Sequence, residues 1–349
     1  MRRSLLIGLV LIAACSGSEA ATTTSTTTPS APATTSTRPT TTTRAPTTTV
    51  PLPTSPINGL PVEDEALLER RVMAVKIDNH ANARPQSGLD LADAVVEVPV
   101  EGITRFISLF HDADAEYLGP VRSGRPSDGR ILNPLGATFA ISGGQDWVLA
   151  GIRREGVDII GEVRPAMFRI AGRSAPHDLY TDTTLLRQLA DERDYPDDPP
   201  PQLFEFGDLP PTADAATEIA MNFGNGFIVT WIYDEAENRY LRQFGGRQAE
   251  LIDQEGVRSP LGADVLVVML ARRYTEQAPA GATSVPAIDT VGEGVAHVFA
   301  HGLVMTGNWS RATSADLIVL TDDGGDPLPV PPGFIWISFV PEQTGLDFS

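Results

Sequence analysis

A chain with one cysteine cannot close a disulfide within itself, and here that cysteine is Cys15, directly behind the apolar run Leu5–Ala14. Whatever this sequence folds into must therefore be held by burial alone. Arg2 and Arg3 precede the run, small residues end it, and it is too short to span a bilayer. That combination marks an export signal, residues 1–14.

Ile12-Ala13-Ala14-Cys15 resembles the bacterial lipobox, in which the cysteine thiol is lipidated and becomes the mature N-terminus. The other reading is a plain signal peptide cut nearby, with Cys15 incidental. The position of Cys15, the small residues before it and the lack of a second cysteine favour lipidation. Two or more acyl chains give stable anchoring, so the expected location is the cell membrane, lipid-anchored, on the extracytoplasmic face. Residues 15–56 follow as a tether of Thr, Ser, Pro and Ala with few large apolar side chains. Such a segment cannot bury enough surface to offset the entropy of ordering, and its coil dimension is tens of ångströms.

The formal net charge of -19 argues against nucleic acid as a partner, because phosphates require a basic face. It offers no polybasic patch for anionic lipid either, so membrane attachment rests on the lipid anchor. Nearly every basic residue is arginine, and Lys76 is the single lysine. Either a composition bias left one lysine by chance, or position 76 requires a compact ammonium in place of a planar fork.

From about Ile57 the texture becomes that of a folded protein. Val72–Asp78, Ala94–Val100, Thr104–Phe110 and Ala137–Ile141 read as strands; Asp146–Arg154 has helical spacing, and Thr183–Ala190 reads as a helix capped by Asp182. Tyr195-Pro196-Asp197-Asp198-Pro199-Pro200-Pro201 breaks the pattern. Strands dominate after it: 218–223, 227–233 (joined to the former by the hairpin dipeptide Asn225-Gly226), 240–244, 265–270, 295–305, 317–320 and 334–340. The expected fold class is α+β, with a mixed α/β first domain at 57–195 and a mostly β second domain at 196–349.

The densest polar signal lies between 76 and 130. Lys76 and Asp78 stand at a strand end; Arg84-Pro85-Gln86-Ser87-Gly88 is a loop; Glu97 alternates on its strand; Glu101-Gly102-Ile103-Thr104-Arg105 joins two strands; Gly119-Pro120-Val121-Arg122-Ser123-Gly124-Arg125 is a second loop. A third polar knot, Arg173-Ser174-Ala175-Pro176-His177-Asp178, lies further on. Together these motifs resemble those of the YerB-like lipoproteins, a family defined by the DUF3048 domain of unknown function. Gly307-Asn308-Trp309-Ser310-Arg311 and Pro332-Gly333-Phe334-Ile335-Trp336 resemble the end of the family's second domain. Asp178 departs from the pattern, which has asparagine there. The resemblance covers about 57–341 and implies a two-domain extracytoplasmic lipoprotein; it supplies no reaction.

Lys76, Asp78, Arg84, Glu97, Glu101, Arg105, Arg122, Arg125 and His177 are the candidate ligand-binding residues. Arginine forks bind carboxylate and phosphate bidentately, with Glu97 and Glu101 orienting them. The competing reading is a buried salt-bridge network that holds the first domain together. The leading expectation is a non-enzymatic binding or scaffold role toward an anionic envelope polymer or a partner protein. The alternative is an envelope glycan hydrolase or transferase using Glu97, Glu101 or His177. No cofactor is expected, and no metal: His297 and His301 fall four apart in a β segment, about 13 Å along it, and Asp322–Asp326 reads as an acidic turn. Trp231, Trp309 and Trp336 read as core in preference to a glycan platform.

Overall fold

The computed structural model describes residues 51–349. The signal segment, Cys15 and the tether up to residue 50 lie outside the described residues.

Three runs of β-branched and aromatic residues form an antiparallel group, β1 (Met73–Ile77), β2 (Ala94–Pro99) and β3 (Thr104–Phe110), in the order β2-β3-β1. Every residue in them is buried, which explains why they read as continuous apolar runs. β4 (Thr138–Ala140) and β5 (Asp158–Ile160) extend the sheet in parallel beyond β1. Helices α1 (Pro126–Leu132) and α2 (Asp146–Arg154) cover one face, and α3 (Thr183–Glu192) packs on the other.

The sheet continues past the proline-rich break. Strand Ile335–Pro341 lies parallel to both β2 and Val265–Ala271, Gly292–Ala300, Leu303–Arg311 and Val319–Thr321 continue the row, and the short strand Asp214–Ala215 pairs with Leu303–Arg311 off its path. Chain from both sides of 196 thus builds one eleven-stranded sheet, and residues 51–349 form one compact unit. The fold is α+β, mostly β toward the C-terminus. The folded region also begins before residue 57: Ser55 is buried and its hydroxyl donates to Asp112 at 2.6 Å.

A smaller sheet packs over β2 and β3. It contains Glu218–Asn222, Ile228–Asp234, Arg239–Phe244 and the C-terminal strand Leu346–Phe348. Asn225 and Gly226 both have positive φ, as a tight hairpin turn requires. Between the sheets, the Trp336 ring meets Phe106 at 4.9 Å and Trp231 at 5.2 Å, both edge-on. Trp231, Trp309 and Trp336 are all core.

One expected strand is two. The stretch 295–305 is a hairpin whose turn holds His301 and Gly302, both at positive φ. His301 is therefore a turn residue and not a strand neighbour of His297. Consecutive apolar residues on either side, Val298–Ala300 and Leu303–Met305, conceal the turn in the sequence.

Candidate functional site: a cationic cluster at the strand ends

Alternation along β1 sends Met73, Val75 and Ile77 toward the smaller sheet and α3, and Lys76 toward α1. Lys76 is completely buried, and its Nζ donates to Asp128 Oδ1 at 2.7 Å. Asp128 Oδ2 accepts from the Arg125 backbone N–H at 2.7 Å, so this carboxylate both ties the start of α1 and holds the lysine. Burial lowers the lysine pKa to about 8, against the opposing pull of Asp128.

The 119–125 loop is where the motifs meet. Pro120 carbonyl accepts from Asp78 N–H, Arg122 N–H donates to Lys76 carbonyl, Gly119 exchanges backbone bonds with Ser87, and Val121 N–H reaches Leu179. Gly119 is required by crowding: a Cβ there would lie 2.8 Å from the Tyr180 ring. The loop thereby joins the end of β1, the 84–88 loop and the segment behind His177.

Four of the five predicted cations converge here. Arg105, on the α1 side of β3, donates from Nη1 to Ser123 carbonyl at 2.8 Å, while its buried Nε has no acceptor. Arg122 Nε stands 3.3 Å from Asp78 Oδ2, too poorly aligned for a hydrogen bond. Arg125 Nε pairs with Glu101 at 2.7 Å. Burial first, then the charge of Arg125 and that of Arg122, brings Arg105 down to about 10, with Glu101 and Asp78 opposing. Asp78 Oδ2 also meets His177 Nδ1 at 2.7 Å, and His80 stacks on His177 with ring centres 4.6 Å apart. Lys76, Asp78, Glu101, Arg105, Arg122, Arg125 and His177 therefore form one group, in which four cations face the carboxylates of Asp78, Glu101 and Asp128.

Arg84 and Glu97 lie elsewhere. Glu97 faces the smaller sheet and is sealed from solvent. Its oxygens accept from Thr104 Oγ1 (2.6 Å), Arg242 Nη1 and Nη2 (2.7 and 2.6 Å) and Trp336 Nε1 (2.9 Å). A carboxylate has about four lone-pair positions, and all are used. Glu97 is an ion-pair partner, as expected, but of Arg242. It does not face Glu101, whose carboxylate reaches Arg125 on the opposite side of the sheet, so the carboxylate pair weighed for glycan hydrolysis is not formed.

Asp128 and Arg242 escaped the sequence reading. Pro126 and Asp128 sit at the first and third positions of α1, a usable helix-start signal. Arg242 alternates with the buried Tyr240 and shares its inward face, which period two shows. Asp178, where asparagine was expected, pairs with Arg169 at 2.5 Å, an ion pair an amide cannot make.

The N-terminal domain of the DUF3048 family, a protein of unknown function, matches residues 57–196, and its C-terminal domain matches 219–337. The chain is 29% identical over 307 residues to "Putative lipoprotein YerB" of Bacillus subtilis (strain 168), covering 84% of this chain and 88% of that protein. The crystal structure of YerB protein from Bacillus subtilis superposes with a TM-score of 0.73 at 26% identity, covering 85% of this chain and 99% of that one. With both domains matched in order over most of the folded region, the chain belongs to the DUF3048 family.

Proposed function

We propose that this protein is an outward-facing, lipid-anchored lipoprotein that binds an anionic group of an envelope polymer or of a partner protein at the strand-end cluster. The observation that carries the reading is the pair of arginines with buried, acceptor-less Nε groups, Arg105 and Arg122. A buried donor left without a partner costs about 1–3 kcal/mol, so these guanidiniums hold unspent donor capacity, and an incoming carboxylate or phosphate oxygen would meet it at the part-exposed Arg122 side chain (24% exposed). The setting supports this: the cations cluster inside a chain whose net charge is -19. The lipobox-like Cys15 supplies the anchor, and the similarity to "Putative lipoprotein YerB" supports it.

The test is saturable binding of the full chain, in detergent micelles, to purified anionic wall polymer. Arg105→Ala and Arg122→Ala should each weaken binding by about 1.5–3 kcal/mol, the range for charge-assisted hydrogen bonds, with little loss of folding. Unchanged affinity in both variants would overturn the site. Cys15→Ala should release the protein from membranes; retention at the processed mass would overturn the anchor.

One contact favours a second reading. Asp78 orients Nδ1 of the mostly buried His177, which leaves Nε2 for proton exchange as in general acid–base chemistry. Product release from the same polymer, abolished by His177→Ala, would favour an enzyme over a binding protein.

A further inference from the structure

A cleft of about 310 Å³ opens on the smaller-sheet side, away from the strand-end cluster, and is lined in part by Arg84, Arg242, Arg247 and Arg258. Its apolar walls are Phe106, Phe244, Pro85 and Leu261. We propose that this cleft is a second anion site, specific for a small carboxylate or phosphate that carries a flat apolar group.

The arginines are posed for it. Asn79 fixes Arg84 twice, its Oδ1 accepting from Nε at 2.9 Å and its carbonyl from Nη2 at 2.8 Å. The guanidinium lies over the Phe244 ring at 4.2 Å, and Nη1 donates to no group among the described residues. Arg242 forms the floor, boxed by Phe106, Trp231 and Trp336 at 5.0–5.3 Å and neutralised by Glu97. Arg258 is held by Glu250 at 2.6 Å, and exposed Arg247 has no ion-pair partner among the described residues. Glu250 is the only carboxylate in the lining, so the positive charge of Arg84 and Arg247 is uncompensated there. Between Cys15 and Val50 the chain's own leader carries a single acidic residue, Glu19.

A bare oxyanion would satisfy the guanidinium donors and leave the phenylalanine and leucine walls wet. An aromatic or similarly flat group attached to it would cover them, and the volume fits a ligand at the small end of natural pockets. Neither the loop of Arg122 nor Lys76 lines this cleft, so the assignment stands apart from the function proposed for the strand-end cluster.

Phenyl phosphate and inorganic phosphate serve as probes, titrated into the full chain by calorimetry. Tryptophan fluorescence gives a second readout, because Trp231 and Trp336 flank Arg242. Phenyl phosphate should bind saturably and at least about tenfold tighter than inorganic phosphate, with a change in tryptophan emission. Arg247→Ala, at an exposed position outside the core, should weaken it about tenfold, whereas Arg272→Ala, an exposed arginine outside the cleft, should leave it unchanged. No saturable binding at millimolar concentrations, or unchanged binding in Arg247→Ala, overturns the proposal. Equal affinity for the two probes overturns the apolar half of the assignment.

Discussion

Lys76 carries its ammonium with no exposure to solvent. An ammonium with no exposure at all is costly unless paired, and Asp128 is its one hydrogen-bond partner. With its pKa lowered to about 8 by burial, the folded chain sheds the lysine proton at a pH where the unfolded chain, near 10.4, still holds it. Across that window the unfolded state binds more protons, so this group makes stability rise with pH. Denaturant unfolding of the full chain should show a gain of up to about 3 kcal/mol between pH 8 and 10.5, on 1.36 kcal/mol per unit. Lys76→Met should flatten that rise; an unchanged pH profile would contradict the assignment. Sequence legibility at this scale had a clear limit. The lone lysine and the motif arginines stand out by composition and by their loops, and Arg105, Arg122 and Arg125 do lie close together. Arg84 shares their Pro/Gly-marked loop setting in the sequence, yet the turn after β1 sends it to the other side of the sheet. Glu97 and Arg242 are 145 residues apart, and no local spacing rule reaches that far.

Elements with strong local signals were legible. β3 runs over Thr104–Phe110 and α2 over Asp146–Arg154, as their patterns predict. Helix α3 opens at the expected cap: Asp182 Oδ1 accepts from the N–H groups of Thr184 (2.8 Å) and Leu185 (3.1 Å). Asp182→Ala should cost about 1 kcal/mol, read as a shift in the denaturation midpoint at constant m-value; no shift would mean that α3 is held by packing alone. Helix α1 offers only its Pro126 and Asp128 start signal. It is one short element containing Gly129, a poor helix former, and that glycine is there for packing. A Cβ on it would lie 2.9 Å from Ile152 Cα in α2, so the close approach of the two helices, which positions Asp128 under Lys76, depends on its absence.

The described unit, residues 51–349, is less divisible than its sequence. The proline-rich break and the change from mixed to β-rich texture are real features of the chain, but contacts between distant segments decide how the strands assemble. Strand Ile335–Pro341, near the C-terminus, lies between β2 and Val265–Ala271, and the Glu97–Arg242–Trp336 network ties both sheets at one point. The described unit should therefore unfold in one transition, with coincident midpoints by far-ultraviolet circular dichroism and tryptophan fluorescence. Two separated transitions would show that the halves are energetically independent. The lone lysine gives this cooperativity a chemical consequence. Its amine is the only one on any side chain of the protein, and it sits fully enclosed between sheet and helix. Acylating reagents and lysine-directed proteases therefore find no side-chain target on the native surface. Modification at this one position becomes a built-in clock for opening of the core, and amine-coupled immobilisation would capture molecules that have opened, leaving native ones in solution unless the chain terminus reacts.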